Sequence, residues 1–243
     1  MKRKLRIIIL LGGGIGLLNC AFAQAVTPLK IISNPSFEEG SVVHLLQYTK
    51  YKKLPSGYEQ EALAAFSHFP ELQKVPVKFR VKKSYCPLKT RPALLSMFMP
   101  KGHRSYVIII SNKTIQKLTP LMFENLPENA RIGIMGHELS HVADFSKKNT
   151  WLSFKTAIGH LSKHYMDSLE YHTDKICIEH GLGNELETWS SYIRNAMHTR
   201  YWRGADFVNK GETHYERYMN PSTIVKFIGE EKNEPGPAIT NAH

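Results

Sequence analysis

The sequence has few cysteines and no apolar run long enough to cross a membrane comfortably. Its 243 residues include three cysteines, and the apolar run Ile7–Leu18 is shorter than a transmembrane helix requires. The sequence contains no internal repeat, no basic heptad helix, no aromatic RNA-binding signature and no Cys/His finger. Nucleic acid is therefore not an expected partner, and no integral membrane domain is expected after removal of a leader.

The first 23 residues are typical of a secretory signal peptide. A basic segment at residues 2–6 precedes the apolar run, and Ala21–Ala23 resembles an A-x-A cleavage site. We therefore expect an exported chain, periplasmic or secreted, that begins at Gln24. Two alternatives are an uncleaved membrane anchor and lipoprotein processing at Cys20.

Basic residues outnumber acidic residues, 32 to 21, and the formal net charge is +11. Cleavage after Ala23 removes four positive charges and leaves about +7, which favours acidic partners or anionic surfaces without determining the fold. Cys20 leaves with the leader. Cys86 and Cys177 remain, and they either form one disulfide or stay free and packed.

The order of predicted elements favours an α+β fold in which a small mixed sheet packs on one central helix, with further helices after it. Hydrophobic periodicity predicts a helix over 57–72 and strands at 77–81, 94–99 and 106–110, the last two forming a hairpin. Further helices are predicted at 127–145, 151–180, 185–197 and 221–228. The interpretation by segment is an N-terminal extension at 24–55, a domain at 56–229 and a disordered tail at 230–243.

The run His137–His141 carries the clearest chemistry. On a helix, His137 and His141 lie on one face and can both bind one metal ion. Glu138 can take a proton from a water that attacks a carbonyl group, and zinc lowers the pKa of such a water. The alternative is a surface helix with two incidental histidines.

The remaining positions of this helix support the interpretation. Gly133 and Gly136 each cost about 1 kcal/mol relative to alanine in a helix interior, so we expect another part of the chain to approach the backbone there. Asp144 falls one turn beyond the histidines and is a candidate support for a metal ligand. Apolar residues gather on the opposite side: Ile132, Met135, Leu139, Val142 and Ala143.

A catalytic zinc site needs a third protein ligand. Glu170 and Asp174 lie four residues apart on a predicted helix, so Glu170 can bind the metal while Asp174 accepts a hydrogen bond from a ligating imidazole. A solvated acidic helix face is the alternative explanation. The other candidates for the third ligand are His172, His180, Asp167 and Asp174 itself.

These two motifs together resemble a known family. The run Gly136–His141 followed by Glu170-x-x-x-Asp174 resembles the gluzincin metallopeptidases, in particular the HtpX-like and CAAX-prenyl-protease-like group. The resemblance implies a zincin-like fold with one Zn²⁺ per chain on His137, His141 and Glu170, with Glu138 as general base and Asp174 in support.

The sequence also departs from that group. Thr173 stands where the group usually has alanine, and no internal transmembrane segment is present. We therefore expect a peptide or protein substrate without carrying over a preference for membrane proteins. The sequence gives no indication of the oligomeric state.

Residues outside the two motifs are harder to interpret. His160 and His164 are more typical of a polar helix face than of a second metal site. His214 and Tyr201 are hypothetical donors to the oxyanion that peptide hydrolysis creates, and their alternative is an ordinary surface or packing role. Two competing functions are an exported zinc-binding protein without peptidase activity and an envelope binding module whose motif is accidental.

Overall fold

Four short strands form one mixed sheet. In the computed structural model the strands lie in the order β1-β2-β4-β3. The pairs β1–β2 and β2–β4 are parallel, and β3–β4 is antiparallel. With several helices, this arrangement confirms the predicted α+β class. The strand bounds are β1 Lys52–Lys53, β2 Val77–Lys82, β3 Leu88–Pro92 and β4 Tyr106–Ser111.

The structure describes residues 45, 47–149, 163–204 and 216–233. All of them belong to a unit that spans Glu38–His243, and a separate unit, Met1–Phe37, lies outside the described residues. The predicted signal peptide therefore also lies outside them, as does the tail beyond residue 233. No helix in the described ranges is long and apolar enough to span a bilayer.

The described residues include five α-helices, joined in places by short 3-10 turns. Gly181 directly follows the helix predicted at 151–180; its φ is 77°, a conformation that glycine tolerates, and it lies in a π-helical turn at Ile178–Leu182. The last helix extends to Asn233, past Glu230, where the tail was expected to begin. The helix bounds are α1 Glu59–Ser67, α2 Glu128–Lys147, α3 Lys163–Cys177, α4 Gly183–Met197 and α5 Pro221–Asn233.

The predicted strand at 94–99 is wrong. The strand that pairs with β4 is β3, and residues 94–99 form a turn with a 3-10 helix at Ser96–Phe98. The apolar composition of this segment was misleading, because Leu94 and Leu95 remain exposed instead of entering the core. The predicted strands at 77–81 and 106–110 are confirmed by β2 and β4.

The folded domain also begins earlier than residue 56. Tyr48 is buried in the core, and β1 pairs with β2. The ammonium of Lys52 donates to the carbonyls of Leu72 and Val75 at 2.8 Å and of Gln73 at 3.0 Å. Burial lowers the pKa of Lys52 to about 8. Part of the predicted extension is thus built into the sheet.

Helix α2 is surrounded by other elements over its middle turns. Every residue of the range 133–143 is buried, and α2 packs most extensively against α4. A Cβ atom on Gly133 would lie 2.1 Å from the carbonyl oxygen of Glu185, and one on Gly136 would lie 2.5 Å from Leu182 Cδ1. These contacts confirm the close approach expected from the two glycines.

We predict that Gly133→Ala destabilises the fold, because its new methyl group would meet backbone rather than a movable side chain. The free energy of unfolding should fall by roughly 1–3 kcal/mol. Gly229→Ala in α5 is the matched control, since nothing lies within 4 Å of its new Cβ. The control should raise stability by up to about 1 kcal/mol. Denaturant unfolding of both variants checks this, and equal stabilities would contradict the packing described.

Candidate metal centre

Three buried side chains from two helices converge on one point. Helix α2 supplies His137 and His141, and α3 supplies Glu170. Glu170 Oε2 lies 3.1 Å from His137 Nε2 and 3.2 Å from His141 Nε2. One ligand atom from each residue lies within 4.8 Å of the others, so this cluster can hold a metal ion. The sequence prediction of these three residues as a metal-binding set is thereby supported by geometry.

The far nitrogen of His137 is held by a carboxylate. His137 Nδ1 donates to Asp174 Oδ1 at 2.7 Å, because an ionised carboxylate can only accept. The other oxygen, Oδ2, accepts the backbone N–H of Met219 at 2.7 Å. With its proton on Nδ1, neutral His137 presents the Nε2 lone pair to the cluster, which is the tautomer that a metal requires.

His141 is oriented by a hydroxyl group in an equivalent way. Thr173 Oγ1 donates to the carbonyl of Leu169 at 2.8 Å. Its lone pair then accepts from His141 Nδ1 at 3.2 Å, so the Nε2 atom of this histidine also presents a lone pair. Thr173 thus supplies a hydrogen-bond partner for the outer nitrogen of His141.

The donor set fits a tetrahedral cation. Ligand atoms at about 2.0–2.1 Å from a tetrahedral zinc lie about 3.3–3.4 Å from one another, close to the two distances from Glu170 Oε2. Two neutral imidazole nitrogens and one carboxylate oxygen are all acceptors in this arrangement. Without a cation or an extra proton between them, such atoms have no favourable contact with one another.

The charges of the cluster act on each other strongly. Burial disfavours the charged form of His137, but the hydrogen bonds and charges of Asp174 and Glu170 outweigh burial and hold the pKa of His137 well above its ordinary value. Burial also disfavours the charged form of Glu170, yet the neighbouring histidines keep the pKa of this carboxyl far below its ordinary value. The site therefore attracts positive charge, as protons or as a metal.

A cavity of about 420 Å³ opens beside the cluster. Glu138 lies on its wall next to the ligand face, and its carbonyl oxygen accepts a hydrogen bond from Thr90 Oγ1 of β3 at 3.2 Å. Tyr218 lies on another wall, with its ring centroid 5.6 Å from that of His137. Further lining residues include Cys86, Leu88, Lys89, Trp189, Trp202 and Arg217.

The other candidates for the third ligand are engaged elsewhere or exposed. His172 is exposed on α3. His180 Nε2 contacts Glu71 Oε1 at 2.9 Å. Asp167 accepts hydrogen bonds from two arginines, Arg203 and Arg217, and Asp174 contacts the outer nitrogen of His137 rather than the cluster.

Asp144 does not support a ligand as expected. Its carboxylate forms an ion pair with Lys148, one turn further along the same helix. The contacts to the outer nitrogens of the two histidines come from Asp174 and Thr173 of α3 instead.

The remaining sequence candidates lie away from the cavity or outside the described residues. Tyr201 is partly exposed and is not among the residues that line the cavity. His164 is exposed, and His160 and His214 lie outside the described residues. The two cysteines of the described residues form no disulfide with each other; Cys177 is buried and Cys86 partly exposed.

Sequence reasoning missed two residues at the site. Thr173 was noticed only as a departure from a motif, although its position three residues after Glu170 puts it one helical turn from that ligand. Tyr218 gave no periodic signal, because it lies in an irregular segment that returns to the cavity through tertiary structure.

The chain matches no protein-family model, no curated protein and no solved structure.

We predict that Glu170 and Asp174 contribute differently to metal binding. Glu170→Gln removes the only anionic ligand of the cluster and should abolish most binding of one divalent ion per chain. Asp174→Asn should retain the ion with about 10–100-fold lower affinity. His172→Gln, on the exposed side of the same helix, is the matched control and should bind as the unchanged chain does. Metal analysis after dialysis and competition with a chelator give the measurement.

We also predict that metal affinity rises with pH through the neutral range. A metal must displace the proton of His137, whose pKa is raised well above its ordinary value by Asp174 and Glu170. Below the raised pKa, each pH unit should cost about tenfold in apparent affinity. Chelator competition between about pH 6 and pH 8 tests this. If the metal affinity were constant above pH 7, the pKa of His137 would not be raised by Asp174 and Glu170 as described.

Proposed function

We propose that this chain is a zinc-dependent metallopeptidase with a zincin-like fold and a gluzincin arrangement of ligands. The observation that carries the proposal is the geometry of the cluster: two Nε2 atoms and one carboxylate oxygen converge beside an open cavity, and Glu138 is among the residues that line this cavity. The basic, apolar and A-x-A-like segments of the leader support export to the periplasm or the medium.

Zinc is the metal that this ligand set suits best. Two imidazoles and a carboxylate are a set found in catalytic zinc sites, which keep a fourth position open. Hard cations such as Mg²⁺ and Ca²⁺ prefer sites made of oxygen ligands only. When bound, a zinc ion lowers the pKa of water and polarises a carbonyl group.

Glu138 is suited to the role of general base. Its side chain is 5% exposed, and burial raises the pKa of its carboxyl above the ordinary value, against the opposing charges of His141 and His137. A carboxylate in this environment binds a proton more readily than one in water. Glu138 accepts the proton of the attacking water and can later donate it to the leaving amine.

Tyr218 is the best-placed donor for the developing oxyanion. Burial and the charge of Glu170 raise the pKa of Tyr218 well above its ordinary value, so the phenol keeps its proton at neutral pH. A protonated phenol on the cavity wall can donate a hydrogen bond to a carbonyl oxygen. This proposal replaces Tyr201 as the donor, because Tyr201 does not line the cavity.

Strand β3 supplies a surface for an extended substrate. It is the last strand in the sheet order, and Leu88, Lys89 and Thr90 of this strand line the cavity. An edge strand offers backbone donors and acceptors to an added peptide strand. A peptide paired there would pass close to Glu138, which Thr90 contacts.

The decisive variant is Glu138→Gln, which keeps the size of the side chain and removes the basic carboxylate. We predict that zinc stays bound while hydrolysis of an unfolded protein substrate falls by about 10²–10⁴. Glu128→Gln, an exposed position in the first turn of the same helix, is the matched control and should keep full activity. Turnover and zinc content of both variants give the measurement.

Two results would contradict the proposal. If Glu138→Gln kept full turnover, Glu138 would not be the base. If the unchanged chain bound zinc but cleaved no peptide bond, and a chelator altered nothing but stability, the chain would be a zinc-binding protein without peptidase activity.

A further inference from the structure

The loop between β3 and β4 exposes a cluster of large apolar side chains. Four residues form this apolar tip, and their side chains are among the most exposed apolar groups of the described residues. The tip consists of Leu94 (86% exposed), Leu95 (67%), Phe98 (65%) and Met99 (46%). Large exposed apolar clusters are uncommon on soluble proteins and mark surfaces that another body covers.

The loop is held in a definite conformation by polar contacts at its base. Ser96 Oγ accepts the backbone N–H of Ser105 at 2.7 Å. The buried Arg104 donates to the carbonyl of Met99 at 3.0 Å and to the carbonyl of Lys148 at 2.8 Å, at the end of α2. These contacts fix the base of the loop, while the apolar tip stays exposed.

Leu95 adopts a backbone conformation that leucine avoids. Its φ is 63°, in the left-handed region, which costs a residue with a Cβ roughly 1–2 kcal/mol. The residue gains no burial in return, since two thirds of it stays exposed. Neither the conformation nor the exposure of Leu95 is explained by stability of the chain alone.

One side of the sheet carries basic residues on three of its four strands. Side chains alternate between the two sides of the sheet along each strand. The residues of β1, β2 and β3 whose side chains point away from the core are all Lys or Arg. Between them lie Val107 and Ile109 of β4, which are nearly buried. We name this set the basic face: Lys53, Lys78, Arg80, Lys82, Lys89 and Arg91.

The basic face has no acidic counterpart in the strands or in the loop that follows β3. No Asp or Glu occurs between Glu71 and Glu124. Lys53 and Lys78 are register partners, and like charges opposite each other destabilise a sheet. Binding to an anionic partner would reduce the repulsion between these basic residues.

The apolar tip and the basic face meet at one end of the sheet. Val107 pairs with Lys78 on one side and Arg91 on the other, and the loop begins directly after the next pair, Pro92 with Tyr106. Lys101, which is exposed, adds a further cation within the loop. Arg91, Lys78 and Lys53 thus lie at the end of the sheet next to the apolar tip, whereas Lys82 lies at the other end.

We propose that this surface docks the protein on a lipid bilayer that contains anionic lipids. The apolar tip enters the boundary between headgroups and acyl chains, and the basic face contacts the anionic headgroups. Apolar insertion and electrostatic attraction together are the two contributions from which reversible interfacial binding is built. The residues substituted in the tests below do not line the cavity, so these tests do not depend on the proposed peptidase activity.

The charge pattern favours a bilayer over two other occupants. A nucleic acid would use the basic face but leave the apolar tip in water, since the phosphate backbone dominates such binding. A second copy of the chain could cover the tip, but symmetric contact would bring two basic faces toward each other. A bilayer surface satisfies both features at once.

The first test is sedimentation of the full chain with vesicles of phosphatidylcholine and phosphatidylglycerol in equal parts. Leu95→Asn with Phe98→Gln removes two apolar groups, and asparagine tolerates the left-handed conformation at position 95. Vesicle affinity should fall at least about tenfold. Val225→Gln, at an exposed valine of α5, is the matched control and should bind as the unchanged chain does.

The second test addresses the charges. Lys78→Gln with Lys101→Gln should lower affinity for these vesicles about tenfold or more, with little effect on pure phosphatidylcholine, and added salt should weaken binding. Lys175→Gln with Lys226→Gln, exposed lysines of α3 and α5, is the control. Equal losses in both pairs would show that total charge alone matters and would overturn the assignment of the basic face.

A reporter in the loop separates this surface from any other lipid-binding segment. Phe98→Trp should show a blue shift of tryptophan emission when the mixed vesicles are added, whereas Val225→Trp should not. Vesicle binding without a shift at position 98 would overturn the proposal. So would a dimer in sedimentation velocity that the Leu95 and Phe98 substitutions dissociate, or binding of single-stranded DNA that is as strong as binding to vesicles.

Discussion

The convergence of three acceptor atoms in a buried place is the constraint on which the centre of this structure depends. His137 Nε2, His141 Nε2 and Glu170 Oε2 lie together, and all three residues are buried. When both imidazoles are neutral, Asp174 and Thr173 hold their protons on the outer nitrogens, and no proton lies between the three atoms. A bound metal ion would stabilise these three acceptor atoms, and a proton on His137 Nε2 competes with the metal ion for the same place.

The rest of the fold brings two helices close enough for this convergence. Glycine at 133 and 136 lets α4 and the turn before it lie against the backbone of α2, and α3 then places Glu170 and Asp174 on either side of His137. Asp174 also accepts the N–H of Met219, so the same carboxylate fixes the segment that carries Tyr218 on the cavity wall. One side chain thus links the ligand tautomer to the shape of the cavity.

Local patterns in the sequence predicted the parts of the site that depend on a single helix. The spacing of His137 and His141, the pair Glu170 and Asp174, and the close approach at Gly133 all follow from helical geometry. The hairpin was placed wrongly, because residues 94–99 are apolar enough for a strand and yet are exposed. Strand β1 has two residues, too few for any periodicity. The position of Tyr218 results from tertiary contacts that no local pattern records.

X-ray absorption at the zinc edge of the purified, zinc-loaded chain tests the central claim most directly, because it measures the ligand atoms themselves. The account predicts nitrogen and oxygen neighbours at about 2.0–2.1 Å, with the outer-shell scattering of two imidazole rings. Loss of one imidazole contribution in His141→Ala would tie that signal to the cluster. A sulfur neighbour at about 2.3 Å, or an unchanged spectrum in the variant, would place the metal elsewhere and contradict the account.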